Sequence, residues 1–464
     1  MTDSILVVGG GVAGLRSALE CAAGGARVTI VERAPILGGR LAAPMTAEKL
    51  IGDRAEGDKV PLLAAIDGNN NIEVLTNATL DKVDGGPGNF DVSIRERARF
   101  VTDACTRCKL CHTACPVVTA NEYDAGLTFR KAIYTPMAET MPEAYVIDID
   151  SCLNKPPNYL PCNRCVEVCD DDAIYFDQAL ETTHKRHVGA VILAPGFKLE
   201  DSAAYAELGY GKHADIVTSA ELQRLMETPG PTGGYATRPS NEEYPESVLL
   251  VIDNLSRFAL YIVASQTRQL LEQDVGEVAI LILAQPGSGD EATKAQEFAS
   301  SSGISLHWGT VFSADPTDGE QLEVSFEDLS SHRFVKQEYE LVVLCTEVRP
   351  ADGLSELALT ADIALSDDGY LNAEQSNGGN VATSRPGVFL AGCASGAKNI
   401  KESITDATAA ANAALAQLDP RLLTADAGPE SEPAKEKAAK AVPPDDLQHQ
   451  IEGLLYALLD RSGT

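Results

Sequence analysis

The feature that most constrains this chain is a set of eight cysteines between residues 105 and 169. The first four read Cys105-x2-Cys108-x2-Cys111-x3-Cys115-Pro116; the second four read Cys152-x9-Cys162-x2-Cys165-x3-Cys169. Two-residue gaps let one loop bring three thiolates to one cluster, while the cysteine before the proline serves the neighbouring one. The spacing predicts two [4Fe–4S] cubes with crossed ligands. One takes Cys105, Cys108, Cys111 and Cys169, and the other takes Cys152, Cys162, Cys165 and Cys115. Structural zinc also uses CxxC pairs, but it leaves the x2-x2-x3 rhythm unexplained. The nine-residue gap after Cys152, with Pro156, Pro157 and Pro161, departs from that rhythm and keeps the thiolate count. Cys169 runs into Asp170-Asp171-Asp172, whose carboxylates would lower a cluster potential unless water screens them.

A second signature opens the chain. Ser4–Val8 reads as a buried strand, Ala13–Ala23 as a helix and Val28–Val31 as the next strand. Between strand and helix lies Gly9-x-Gly11-x-x-Gly14, and Glu32 follows the second strand. Gly9 permits the tight turn, Gly11 lets the backbone approach a pyrophosphate, and Gly14 lets the helix pack close to the strand. The helix N-terminus then presents its positive end to the phosphates, and Glu32 is placed to accept a ribose diol. Three features select FAD over NAD: the extreme N-terminal position, the glycine pair Gly38-Gly39 with Arg40, and a late strand and turn at Pro386–Gly392. A further buried strand ends in a glycine turn at Gly196. After the late turn come Cys393, read as lining the cofactor or packing among small residues, and Lys398. The lysine either reaches the flavin ring, as a catalytic group stabilising its anionic reduced form, or is a solvated surface residue.

These signatures divide the chain. Residues 1–99, 181–246 and 351–420 are expected to build the FAD domain, interrupted by a cluster module at 100–180 and a second α/β unit at 247–350. In that second unit the strand Val248–Ile252 leads into Asp253-Asn254-Leu255-Ser256-Arg257. The turn has no glycine and carries an acid where a pyrophosphate would sit, so the unit is expected not to bind NAD(P)H. Residues 421–464 read as a linker and a short amphipathic helix (Leu447, Ile451, Leu454, Leu455, Leu458, Leu459). The remaining cysteines, Cys21, Cys345 and Cys393, form no CxxC pair, which argues against a flavin-linked disulfide.

Composition narrows the partners. Acidic residues outnumber basic ones 68 to 37, for a net charge of −31, the wrong sign for nucleic acid. No apolar run is long enough for a membrane span. The first strand leaves no room for a secretory signal, and clustered cysteines suit a reducing compartment. A cytoplasmic location is expected, with any membrane association made through partner subunits.

The residues that carry these readings resemble the A-subunit family of heterodisulfide reductase, which includes the flavin subunits of the quinone-interacting membrane-bound oxidoreductase. The likeness lies in Gly9–Gly14 with Glu32, the cysteine run, Asn121–Tyr134, Pro142–Asp148, Asp215–Glu221, Gly230-Pro231-Thr232 and Gly392–Lys398. It covers about residues 1–420. The resemblance implies a two-dinucleotide-binding flavoprotein of the thioredoxin-reductase-like α/β class, with an inserted two-cluster ferredoxin-like domain. It also implies one FAD, two [4Fe–4S] clusters and a place among other redox subunits of a complex. In the quinone-linked branch the partners are a quinone-reactive subunit in the membrane and a soluble enzyme of sulfur metabolism; in the heterodisulfide branch electrons are bifurcated or confurcated. Family cysteines after Gly39-Arg40 and at the start of the second unit are replaced here by Leu41–Glu48 and Val251–Ser256, which leaves their extra cluster and thiol chemistry in doubt. The expected function is electron relay between flavin, clusters and partner subunits. The rivals are a self-contained NAD(P)H-dependent flavoprotein reductase and a structural subunit with redox-silent clusters.

Overall fold

The structure is a computed structural model that describes residues 3–39, 61–136, 141–155, 160–200, 202–228, 230–287, 289–319, 321–376 and 379–418. The linker, the C-terminal helix and Arg40 lie outside the described residues. Two compact units are present. Among the described residues, one gathers the chain up to Ala120, Phe129–Phe197 and residues 350–418; the other holds Asn121–Thr128 and Lys198–Arg349.

The first unit is built on a sheet whose core is parallel. β1 (Ser4–Val8) pairs with β2 (Arg27–Val31) on one side and with Ala190–Leu193 on the other; Ile72–Leu75 flanks β2, and Val388–Leu390 flanks Ala190–Leu193. Its central residues are apolar on both faces, as a parallel sheet covered on both sides requires: Ile5, Leu6, Val7 and Val191–Leu193 are fully buried. On one face α1 (Val12–Ala23) packs against Ile400–Leu418. Alanines at 18, 22, 407, 410, 411 and 414 form that contact, and their small side chains let the two backbones approach closely. The other face meets an antiparallel sheet of Ala78–Gly86, Asn89–Arg97 and Glu181–Val188 through Phe90, Val92 and Ile94.

The cysteine module grows out of that antiparallel sheet. Val101 bridges to Ile174, closing the segment on itself. Its core joins Phe100, Ile133, Tyr145, Ile147 and Ile174 to Cys111, Cys115 and Cys165. Short helices at Leu110–Ala114 and Arg164–Glu167 carry Cys111 and Cys165 inward.

The second unit has its own seven-stranded sheet. Ile216–Thr218, Leu341–Cys345, Ser247–Ile252, Glu277–Ile282 and Ser305–Pro316 run parallel, and Leu322–Asp328 and Arg333–Tyr339 extend it antiparallel. This moves a sequence-based boundary. Residues 198–246, expected in the FAD domain, fold here, because Ile216–Thr218 pairs with Leu341–Cys345 and supplies the edge of this sheet. A strand of three residues carries too little periodicity to be assigned from sequence. Residues 121–128 also fold here, although in sequence they lie between Cys115 and Cys152. Asp124 accepts a hydrogen bond from Arg224 Nε (2.6 Å) and another from Asn121 Nδ2 (2.7 Å). Among the described residues no helix is long and apolar enough to cross a membrane.

Candidate functional site

The glycine turn after β1 is shaped by hard contacts. Gly9 has φ +110°, and a Cβ there would lie 2.0 Å from the Ala194 carbonyl oxygen; a Cβ on Gly14 would lie 1.8 Å from the Gly9 oxygen. The protein itself forbids side chains at both positions. Gly11 is different: its nearest neighbour would be Gly39 Cα at 3.9 Å, so its face is open. The amides at the start of α1 have no side-chain cap. Phosphate oxygens are common partners for amides at such a helix end.

Three later segments converge on this turn. Gly38 N–H donates to the Gly10 oxygen (2.8 Å), and Gly39 (φ +53°) sits against Gly11, where a Cβ would be 2.9 Å from Gly11 Cα. Gly392 (φ +60°) abuts the start of α1, its missing Cβ 2.7 Å from Ala13 Cβ. Gly196 (φ +74°) borders open space just after Ala190–Leu193. The site therefore forms beyond the carboxyl ends of neighbouring parallel strands, where open α/β sheets bind their ligands.

Glu32 braces the turn. One carboxylate oxygen accepts from Gly10 N–H (2.5 Å) and the other from Ala34 N–H (2.7 Å). Burial raises its pKa, and the two amides oppose that shift. Each oxygen keeps a second lone pair, so acceptance of a ribose diol remains compatible. Lys398 is half-buried and paired: Nζ donates to Ser395 Oγ (2.8 Å) and pairs with Asp406 (2.5 Å). The sequence offered no partner for this lysine, because Asp406 sits eight residues on, inside the last helix. Cys393 is buried and its thiol donates to the Lys398 carbonyl (3.4 Å), while burial pushes its pKa up. Burial also pushes Cys21 and Cys345 up to about 12. All three are poor nucleophiles at neutral pH.

The eight clustered cysteines line two cavities. One is lined by Cys115, Cys152, Cys162 and Cys165; the other by Cys105, Cys108, Cys111 and Cys169. Each takes three cysteines from one run and its fourth from the other. Among the described residues no three His, Cys, Asp or Glu side chains gather closely enough to hold a single ion. Four thiolates around one cavity are the donor set that a [4Fe–4S] cube takes. Asn154 N–H donates to Cys152 Sγ and Ala173 N–H to Cys169 Sγ, both at 3.4 Å. Burial pushes Cys111 up to about 11 and Cys165 up to about 12, so metal ligation here must displace protons. Asp170, Asp171 and Asp172 are exposed; Asp171 lines the second cavity and accepts from Thr106 Oγ1 (2.6 Å).

Two contributors were missed in the sequence. The first solves the nine-residue gap. Asp148 folds a turn that presents Cys152 without help from a CxxC: its Oδ1 accepts from Asp150 N–H (3.1 Å) and Ser151 N–H (3.3 Å), and its carbonyl accepts from Cys152 N–H (3.0 Å). Arg130 pairs with Asp148 at 3.0 Å. An aspartate two and three residues before those amides is a legible Asx-turn signal. The second is Arg99, whose partners are distant in sequence.

A glycine-turn dinucleotide site on one parallel sheet, followed by a second α/β unit of similar plan, defines a flavoprotein fold of the two-dinucleotide-binding class. Residues 4–60 match the family of FAD dependent oxidoreductases. The chain is similar to heterodisulfide reductase A-subunits. It is 32% identical over 429 residues to the iron-sulfur A-subunit of the CoB--CoM heterodisulfide reductase of Methanocaldococcus jannaschii, covering 88% of this chain and 63% of that one. It is 34% identical to one of two such A-subunits of Methanopyrus kandleri, over 89% of this chain and 64% of the relative. The chain thus spans less than two thirds of the length of these curated relatives. A thioredoxin reductase of T. acidophilum aligns over 89% of this chain and 97% of its own, at 15% identity and a TM-score of 0.47.

Proposed function

We propose that this chain is an electron-transfer subunit that holds one FAD and two [4Fe–4S] clusters and works with other redox subunits. The observation that carries the reading is the pair of cavities, each lined by four cysteines drawn from both runs, in the same compact unit as the glycine-turn site. When bound, the flavin supplies two-electron chemistry and the clusters supply one-electron steps. The chain's own residues position these groups. The open face of Gly11 and the uncapped amides of α1 take the pyrophosphate, Glu32 holds the turn in shape, and Gly39, Gly196 and Gly392 keep backbone close to the cofactor. Lys398, oriented by Asp406 and Ser395, offers a cation for negative charge. The second unit serves as scaffold or docking surface. Its turn puts the exposed carboxylate of Asp253 at the strand end, and Ser256 Oγ accepts the Ala259 amide (3.1 Å) that a phosphate would need.

Anaerobic purification tests the reading. About eight irons and one FAD per chain are expected; four irons would sink the two-cube assignment. Neither NADH nor NADPH alone should bleach the flavin, and rapid bleaching would instead establish a self-contained reductase. Both clusters should show EPR signals on reduction with dithionite, whereas silence would support a structural role. Proteins that co-purify name the branch: thiol–disulfide subunits place the chain with heterodisulfide reductases, and a quinone-reactive membrane subunit together with an enzyme of sulfur metabolism places it with the quinone-linked assemblies.

A further inference from the structure

Arg99 stands between the two sites. It follows the strand Asn89–Arg97 and precedes Phe100, which opens the core of the cysteine module. Its Nη1 donates to the Pro35 carbonyl and to Thr76 Oγ1 (3.2 Å); its Nη2 donates to the carbonyls of Ala144 (3.1 Å) and Tyr145 (3.3 Å). Pro35 begins the short stretch that runs into Gly38-Gly39, against the glycine turn. Tyr145 lines the cavity of Cys105, Cys108, Cys111 and Cys169. A second bond runs in parallel, from Leu37 N–H to the Met141 carbonyl (2.9 Å). The cavity lined by Cys115, Cys152, Cys162 and Cys165 takes its apolar wall from Ile133, Ile147 and Leu153 instead.

Among the described residues no carboxylate hydrogen-bonds to this side chain. Its four acceptors are neutral oxygens, and its Nε is buried without a partner. Burial pushes its pKa down; Asp103, Tyr134, Glu96 and Cys105 oppose that shift through space. A half-buried cation held by neutral oxygens alone gains from further negative charge nearby. A cube held by four thiolates is an anion, and it gains a further negative charge on reduction. A fixed cation in a low-dielectric surround stabilises that reduced form.

We propose that Arg99 is the positioning residue that makes the cube at Cys105, Cys108, Cys111 and Cys169 the flavin-side cluster and raises its reduction potential relative to the other cube. This rests on the two-cube reading above.

The test is an EPR-monitored redox titration of the full chain, purified anaerobically, as wild type and as Arg99→Gln and Arg99→Lys. Cys108→Ser and Cys162→Ser variants assign the two signals. In Arg99→Gln the Cys105-side cube should become about tenfold harder to reduce, ~59 mV for a one-electron couple, while the other cube stays in place. Arg99→Lys keeps the charge and should restore most of the potential. Arg99→Met, neutral and without an amide to satisfy, gives the same reading if the Gln variant loses the module. Unchanged potentials, or equal shifts of both cubes, in a protein that retains about eight irons would overturn this inference alone. A wild-type protein lacking eight irons would overturn the two-cube reading instead.

Discussion

The two turns that follow the central strands of the two sheets make the most instructive comparison. Val8 leads into Gly9–Gly14 and Ile252 leads into Asp253–Arg257. Both strands are flanked by parallel neighbours, both are almost wholly buried, and both feed a helix that packs on the sheet. The frames are alike and the turns are not. The first leaves helix amides uncapped and one glycine face open; the second spends an amide on Ser256 and exposes a carboxylate. The sheet positions a helix N-terminus, but the five or six residues of the turn decide whether a phosphate can reach it.

Substitutions can break or sharpen this contrast. Gly14→Val should have the largest effect: its Cβ would lie 1.8 Å from a backbone oxygen, so helix and strand must separate. A loss of about 4 kcal/mol or more is expected, read as a collapse of the thermal transition with loss of flavin. Gly11→Ala should separate fold from ligand. Its Cβ meets nothing nearer than 3.9 Å in the protein, so melting should hold while FAD affinity falls roughly tenfold to a hundredfold, about 1.4–2.8 kcal/mol. Equal losses of stability at Gly11 and Gly14 would erase the distinction between a glycine the fold needs and one the cofactor needs. The smallest effect belongs to the other turn. Ser256→Ala removes a helix cap and should cost about 1 kcal/mol in denaturant unfolding with no change in flavin content.

Much of this contrast was legible in the chain. The glycine spacing announced the first turn, and the acid and missing glycines marked the second. The elements around the first turn fell where apolar runs and helical spacing put them, within a residue: Ser4–Val8 as read, Ala13–Ala23 against Val12–Ala23, Val28–Val31 against Arg27–Val31. The antiparallel strands Glu181–Val188 and Arg333–Tyr339 were not legible. They are exposed along one face and rich in charge, and their partners hold them more than their own composition does.

By itself the sequence determined which residues could do chemistry, because that information is local: a two-residue gap fixes how thiolates share a loop, and a glycine at a set distance from a strand fixes a turn. Tertiary structure alone decided what those residues touch. It placed residues 198–246 with the second sheet, paired Lys398 with Asp406, gave Glu32 to the amide of Gly10, and set Arg99 between Pro35 and Tyr145. The long-range contacts join segments separated by tens to hundreds of residues, and packing, not spacing, brings such segments together. Even the short-range pair of Lys398 and Asp406 depends on where the last helix begins and how it docks.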